Sequence, residues 1–381
     1  MSRLIIKRAE SYDSQTVYLA VREIMLQQRI NDLIDDTTTI LVKPNMLSRT
    51  SPEKAVTTHP VVVESVIMVL KEFGAKASNI TIADSSGGPS NSAILQANYT
   101  ACGFSLVAKT QGVNLYTKLV SRTVKTDGKI VKEFELIEPA VDSDIIINLA
   151  KFKTHVMTGM SGAVKNLFGT VPGLKKAEFH MRFPDKENFA DMIVDLCETV
   201  KPDFTIIDAI MGMEGDGPAG GIPRNFGFLL AGKNPYEIDL AISYMMGYNP
   251  LALPIMEAAI NRGLVKGEFT PDMITGDTIL CKPIENFIRP NSYKVDFSDK
   301  LPRAIRWATP SVERILAPKP KINKSKCIGC GKCKSICPQH TIEIINGKAT
   351  INNKNCIRCF CCHEMCPVKA IDIKRNVFFN I

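Results

Sequence analysis

CIGCGKCKSICP (residues 327–338) and CIRCFCCHEMCP (residues 356–367) repeat one spacing, Cys-x2-Cys-x2-Cys-x3-Cys-Pro. Three thiolates two residues apart can ligate three irons of one iron–sulfur cube, and the fourth cysteine of such a run ligates the neighbouring cube. This reading assigns one [4Fe–4S] cluster to Cys327, Cys330, Cys333 and Cys366. It assigns a second to Cys356, Cys359, Cys362 and Cys337. A zinc site would use two CxxC pairs instead, and a chain that opens without a secretion signal argues against disulfides. Cys361, beside a ligand but off the motif, reads as a small buried apolar side chain.

The repeat continues past the ligands, since CPQHTIEI (337–344) matches CPVKAIDI (366–373). Each half reads as a turn-rich loop followed by a short strand. Asn346-Gly347, between IEII and KATI, is a hairpin signal. From about residue 321 to the end the chain resembles a bacterial-type two-cluster ferredoxin. That resemblance implies an electron-transfer module of small α+β fold. A cube ligated by four thiolates has no open iron for substrate, which favours electron relay over Lewis-acid chemistry.

Composition bounds the rest. The 381 residues are 45% hydrophobic and 23% charged, enough for more than one domain. The start, MSRLIIKRAESYD, lacks the layout of a secretion signal. The most apolar run, VVVESVIMVL (61–70), is short and broken by Glu64, so no membrane span is expected. Reduced thiolates then predict a cytoplasmic protein. Residues 321–381 hold 11 Lys and Arg against 3 Asp and Glu, which accounts for the whole chain's formal +8. A basic module invites an acidic redox partner such as a ferredoxin or flavodoxin. The basic residues lack interleaved aromatics, so nucleic acid is not an expected partner.

The first 285 residues alternate β-rich runs with amphipathic ones, which predicts an α/β domain whose mostly parallel sheet is flanked by helices. Strands are expected at 38–45, 79–86, 142–150, 202–210 and 226–232. Helices are expected at 59–75, 187–201 and 234–247, the first begun by Pro60 and stopped by Gly74. Residues 286–320 read as a linker with a short helix around 303–316, where Trp307 should pack between domains. Residues 321–381 complete the expected domain division.

Polar residues gather where the strands end: Lys43 and Asn45, Asp84, then Asn148 through His155, then Glu214 and Asp216. Open α/β sheets bind ligands outside the carboxyl ends of their strands. In NLAKFKTHVMTGMSGAVKNLFGTVPGLKKAEFH (148–180), Lys151 and Lys153 alternate with apolar residues and should share a face. Gly162 is placed to start a helix carrying Lys165 and Asn166, so that lysines and helix amides would hold a small carboxylate or phosphate. Expected ligand-binding residues are therefore Lys43, Asn45, Asp84, Lys151, Lys153, Lys165, Asn166 and Glu214. His155, His59 and His180 are the candidate catalytic proton donors. The run Gly215–Gly220 satisfies GxGxxG, but no helix pattern opens there, so it is not read as a dinucleotide site.

The segments LVKPNML, THP, IADSSGG, NLAKFKTH, TGMSGAVKNLFGTVPG and GMEGDGPAGG resemble the DUF362 family over roughly residues 38–280. The resemblance implies an architecture associated with iron–sulfur domains, but no reaction, and it names no additional organic cofactor. The function expected from the residues is an oxidoreductase in which two [4Fe–4S] clusters pass electrons to a small anionic ligand. The alternatives are a non-catalytic electron carrier or assembly factor that binds a protein partner, and sulfur transfer on Cys102, Cys197 or Cys281.

Overall fold

The computed structural model describes residues 3–87, 91–292 and 318–374. The helix expected at 303–316 and Trp307 lie outside the described residues. The main strands are β1 (Leu4–Arg8), β2 (Ile40–Pro44), β3 (Ile80–Ile82), β4 (Asn114–Leu115), β7 (Ile145–His155), β9 (Phe204–Glu214), β10 (Ile222–Gly232) and β11 (Ile274–Gly276). A separate hairpin, β5 (Ser121–Lys125) with β6 (Glu133–Ile137), precedes β7, and the short β8 (Gly159–Met160) folds back on its end. The sheet order is β11-β1-β10-β9-β7-β2-β3-β4. From β9 to β4 every neighbouring pair is parallel, whereas β10 runs antiparallel to both β9 and β1. The fold is the expected mostly parallel α/β sheet with an antiparallel flank.

Each face of the sheet carries its own core. In β7, Ile147 and Leu149 pack with Val21 and Val66 from the helices Ser14–Gln27 and Pro60–Glu72. Ala150 and Phe152 point the other way, to Ile193 and Leu240 of the helices Lys186–Val200 and Pro235–Met245. Burial on both faces explains why these strands read as near-continuous apolar runs. The helix from Pro60 starts where expected, with the His59 side chain accepting from Val61 N, and Gly74 follows its end at φ +108°. Asp185 and Asn234 cap the other two in the same way.

Strands β7 and β9 run farther than expected, to His155 and Glu214. Lysines 151 and 153 mask the apolar pattern, but both are fully buried and the two strands keep pairing as far as Lys153 and Met213. Strand β2 stops pairing at Pro44, opposite Leu149, so β7 and β9 project beyond the sheet as an arm. The chain runs outward from β2 to β3 and β4, then returns to place β7 on the other side of β2. The crevice between the ends of β2 and β7 is thus the topological switch point of the sheet.

The C-terminal domain pairs its first strand, β12 (Lys319–Ile322), with its last, β15 (Ile371–Lys374). Between them lies the hairpin β13 (Ile342–Ile345) and β14 (Lys348–Ile351). Asn346 and Gly347 turn it at φ +49° and +70°, the pair of positive angles that the Asn-Gly signal predicts. The two cysteine runs also share backbone form. Gly329 and Gly331 at positive φ in the first correspond to Arg358 and Phe360 in the second. Phe360 sits against Val156 at the tip of the β7 arm and against Ile373, an apolar contact that seats the ferredoxin-like domain on the sheet.

A candidate active site between the two domains

Cys327, Cys330, Cys333 and Cys366 line one space of about 340 Å³. Cys337, Cys356, Cys359 and Cys362 line another of about 330 Å³. The fourth cysteine of each run has crossed to the other set. The short helix Lys332–Ile336 delivers Cys333 to the first space, and the turn after it carries Cys337 to the second. Backbone amides donate to the sulfurs: Ala349 N to Cys327 Sγ at 3.4 Å, Ala370 N to Cys366 Sγ at 3.1 Å and Thr341 N to Cys337 Sγ at 3.4 Å. Thr341 and Ala370 hold the same place in the two repeats. Four soft donors per space with N–H groups aimed at sulfur fit one iron–sulfur cube in each.

A larger cavity, about 670 Å³, opens at the switch point of the sheet. Asn45 follows β2, Asp84 follows β3, and Lys165, Asn166, Lys176 and His180 come from the loop and helices after β7. The ferredoxin-like domain closes the opposite side with Ile336, Cys361, Glu364 and Met365. Three of these four are chain neighbours of cluster-lining cysteines, namely Cys337, Cys362 and Cys366. Cys361 is buried as expected, and it also faces this cavity.

The floor is tied together by hydrogen bonds. Lys43 Nζ lies 3.0 Å from Asp84 Oδ2, which also accepts from Met46 N, so Asp84 Oδ1 is left unpartnered among the described residues. A Cβ on Gly169 would stand 2.2 Å from that oxygen, so only glycine leaves the space beside it. Asn45 donates to Asn166 Oδ1 at 2.8 Å and accepts from Lys153 Nζ at 2.7 Å. Lys165 makes a cation–π contact with Phe168, and Lys176 donates to the Ser85 carbonyl. No carboxylate among the described residues pairs with either lysine. Burial pushes the Lys176 ammonium down to about 7, and it lowers Lys165 as well. Lys153 is also brought to about 7, first by burial and then by the charge of Lys165.

The histidines divide. His180 faces the cavity, stacked on Phe189 at 4.5 Å, and burial lowers it to about 3. His155 sits behind the cavity wall, its Nδ1 accepting from Met157 N and its Nε2 3.2 Å from Glu364 Oε1. His59 stacks on Tyr12 at 3.5 Å, and burial lowers it to about 4. Burial thus holds all three imidazoles toward their neutral forms, whereas Lys176 lies near 7.

Other expected site residues lie elsewhere. Lys151 does share a face with Lys153, but its Nζ is 2.7 Å from Asp208 and 2.8 Å from Tyr12 OH. Asp208 also accepts from Tyr12 OH and from His59 N, which makes a closed, buried network. Lys43 supports the cavity through Asp84 without lining it. Glu214 pairs with Arg224 at 3.0 Å and accepts from Ile288 N, so it anchors the segment after residue 284. The helix Gly162–Asn166 begins where expected, but the Asp239 carboxylate already accepts from Ala163 N and Val164 N. Its amides are therefore taken, and the lysine side chains remain as the groups available to an anion. Lys176 was not among the expected residues. Its place four residues before His180, on one helix face, was the available signal.

The Gly215–Gly220 loop joins two antiparallel strands, as the missing helix pattern required. It seats the ferredoxin-like domain, with the Asp216 carbonyl 3.1 Å from His363 Nε2. Among the described residues no helix is long and apolar enough to cross a membrane.

An α/β sheet with its cavity walled by a dicluster ferredoxin-like domain defines an iron–sulfur protein with an electron-transfer module. The chain belongs to the DUF362 family, a domain of unknown function matched over residues 40–244, and a 4Fe-4S dicluster domain is matched over 319–367. It is 30% identical over 259 residues to a thylakoid-associated protein of Synechocystis sp., a match that covers 68% of this chain and 78% of that one. Among solved structures, the lactate racemase apoprotein from Thermoanaerobacterium thermosaccharolyticum aligns with TM-score 0.39 at 16% identity. That alignment covers 60% of this chain and 54% of the other.

Proposed function

We propose that this protein is an oxidoreductase that passes electrons from its ferredoxin-like domain to a small anionic molecule held in the cavity at the sheet's switch point. The observation that carries this reading is the shared wall. Ile336, Cys361 and Met365, each next in sequence to a cluster-lining cysteine, face the same cavity as Lys165, Lys176 and Asp84. The proposed ligand sets are Cys327, Cys330, Cys333 and Cys366 for one [4Fe–4S] cluster, and Cys337, Cys356, Cys359 and Cys362 for the other. When bound, two such clusters supply one-electron transfer at low potential.

Lys165 and Lys176 hold the anionic group, and Asn45 with Asn166 orients it. Lys176, poised near pH 7, gives up the proton that accompanies reduction. The electron donor is an acidic redox protein. Sulfur transfer is disfavoured because burial raises Cys102 and Cys281 to about 11 and Cys197 further, which suppresses their thiolates, and none of them lines the cavity.

The test is anaerobic purification, identification of the co-purified small molecule by mass spectrometry, and its re-addition to protein reduced with dithionite. The reading expects the molecule to be chemically reduced and its retention to require Lys165 and Lys176. A cavity that retains no anion, or a ligand left unchanged by reduced protein, would favour the carrier reading instead.

A further inference from the structure

The two cysteine sets differ in what surrounds them. Cys337, Cys359 and Cys362 are buried, and the residues beside them pack on the α/β domain. Phe360 meets Val156, Ile336 and Cys361 meet Ala177, and His363 meets the Asp216 carbonyl. In the other set Cys327 and Cys333 are buried as well, and each set has one half-buried cysteine, Cys356 and Cys366, so the difference lies at Cys330. Cys330 is exposed, and Ile328 beside it leaves 63% of its surface in solvent. Both line the first cluster space. Lys324 and Lys326 precede Cys327, Lys332 and Lys334 flank Cys333, and all four are exposed. No carboxylate among the described residues forms an ion pair with any of them.

From this asymmetry we infer that the face around Cys330 is the docking surface for an acidic electron-carrier protein, with Ile328 at its centre and Lys324, Lys326, Lys332 and Lys334 as its rim. The inference rests on the proposed relay to the cavity and gives that relay a direction: in at the Cys330 face, out beside Cys361. An apolar centre with a charged rim is the usual anatomy of a transient protein contact. Unpaired lysines attract an acidic partner over a distance and then release it. Each encounter moves one electron from the reduced carrier, which is oxidised, to the chain, which is reduced, with no bond made or broken. An anionic membrane would satisfy the lysines equally well, but it gives no reason for a cluster-lining cysteine to stand exposed among them.

The test uses the full-length, cluster-loaded chain and an acidic flavodoxin, with association rates measured against salt concentration. A variant with Lys324, Lys326, Lys332 and Lys334 all changed to Gln, at unchanged iron content, should associate at least about tenfold more slowly at low salt and lose most of its salt dependence. Lys118→Gln with Lys266→Gln, on the α/β domain, should associate like the parent. Equal rates for the parent and the four-lysine variant would overturn the assignment. So would a parent chain that binds phosphatidylglycerol vesicles through these lysines but not the flavodoxin. Dithionite, which needs no docking surface, separates the two ideas. If dithionite-reduced chain reduces the cavity ligand while the lysine variant still binds flavodoxin normally, the relay stands and the docking surface falls. If lysine loss slows docking but dithionite never leads to reduction of the ligand, the relay falls.

Discussion

His155 Nε2 stands 3.2 Å from Glu364 Oε1, joining the tip of the β7 arm to the ferredoxin-like domain. Although this is ion-pair distance, neither atom has hydrogen-bond geometry toward the other. Burial drives His155 far down and Glu364 up, so both are held toward their neutral forms. Lys165 and Lys153 oppose the upward shift of Glu364, so the carboxyl also feels the lysines of the cavity.

Removing His155 should therefore act on structure first. His155→Ala leaves Met157 N without the acceptor it has at Nδ1, a loss of about 1–3 kcal/mol for a buried donor. Urea unfolding of the loaded protein should show a drop of that size. A normal unfolding midpoint with abolished turnover would instead restore His155 as the proton donor.

Crossed ligation is checked by Cys337→Ser. Iron should fall from about eight to about four per chain. The surviving signal should belong to the set containing Cys327, Cys330, Cys333 and Cys366. Loss of the cluster nearest in sequence to Cys337, with the other intact, would contradict the two spaces described above.

Lys165→Ala and Lys176→Ala should each weaken retention of the anionic ligand about tenfold to a hundredfold, as expected for one charge-assisted hydrogen bond of about 1.5–3 kcal/mol. Calorimetry with the co-purified molecule measures this directly. Lys151→Ala is the contrast, because its ammonium is bound to Asp208 outside the cavity. Removing Asp208 leaves that buried ammonium unpaired and should lower stability by about 3–5 kcal/mol.

Ligand affinity should fall as pH rises above about 7, by up to about tenfold per unit, because Lys176 must carry its proton to hold an anion. Stability of the ligand-free protein should move the other way. Lys153 and Lys176 titrate near 7 when folded and near 10.5 when unfolded, so between those values the unfolded chain binds more protons and rising pH favours the fold. Calorimetry and thermal melts at pH 6 and pH 8.5 should thus give opposite trends. Parallel trends would show that these lysines are not the titrating groups.

Mild proteolysis should spare residues 284–292. Ile284 N is bound to the Met245 carbonyl at 2.7 Å, Ile288 N to Glu214 and Asn291 N to Asp216, so the end of the α/β domain and residues 286–292 of the expected linker are fastened to that domain. Mass spectrometry of the first fragments should find no new terminus inside this stretch. A first cut inside 284–292 would count against its attachment to the α/β domain.

Local spacing determined much of this protein by itself. Ligand geometry is written in the cysteine intervals, so two crossed sets are the expectation from spacing alone, and the cysteines line two spaces grouped in that way. Pro60 and Gly74 bounded a helix, and Asn346-Gly347 a hairpin, because those residues act on their own backbone angles. The apolar runs of β2, β7 and β9 declared a sheet covered on both faces. The partners of charged side chains were beyond such reading. Lys151 and Lys153 share a strand face and a composition, yet one is bound to Asp208 and the other to Asn45 and the Val56 carbonyl. A register shift of β7 against β9 lies between them. The cavity was equally hidden, since its walls come from residues as far apart in sequence as Asn45 and Met365. A lysine's environment depends on which distant segments reach it, and only the packed tertiary structure decides that.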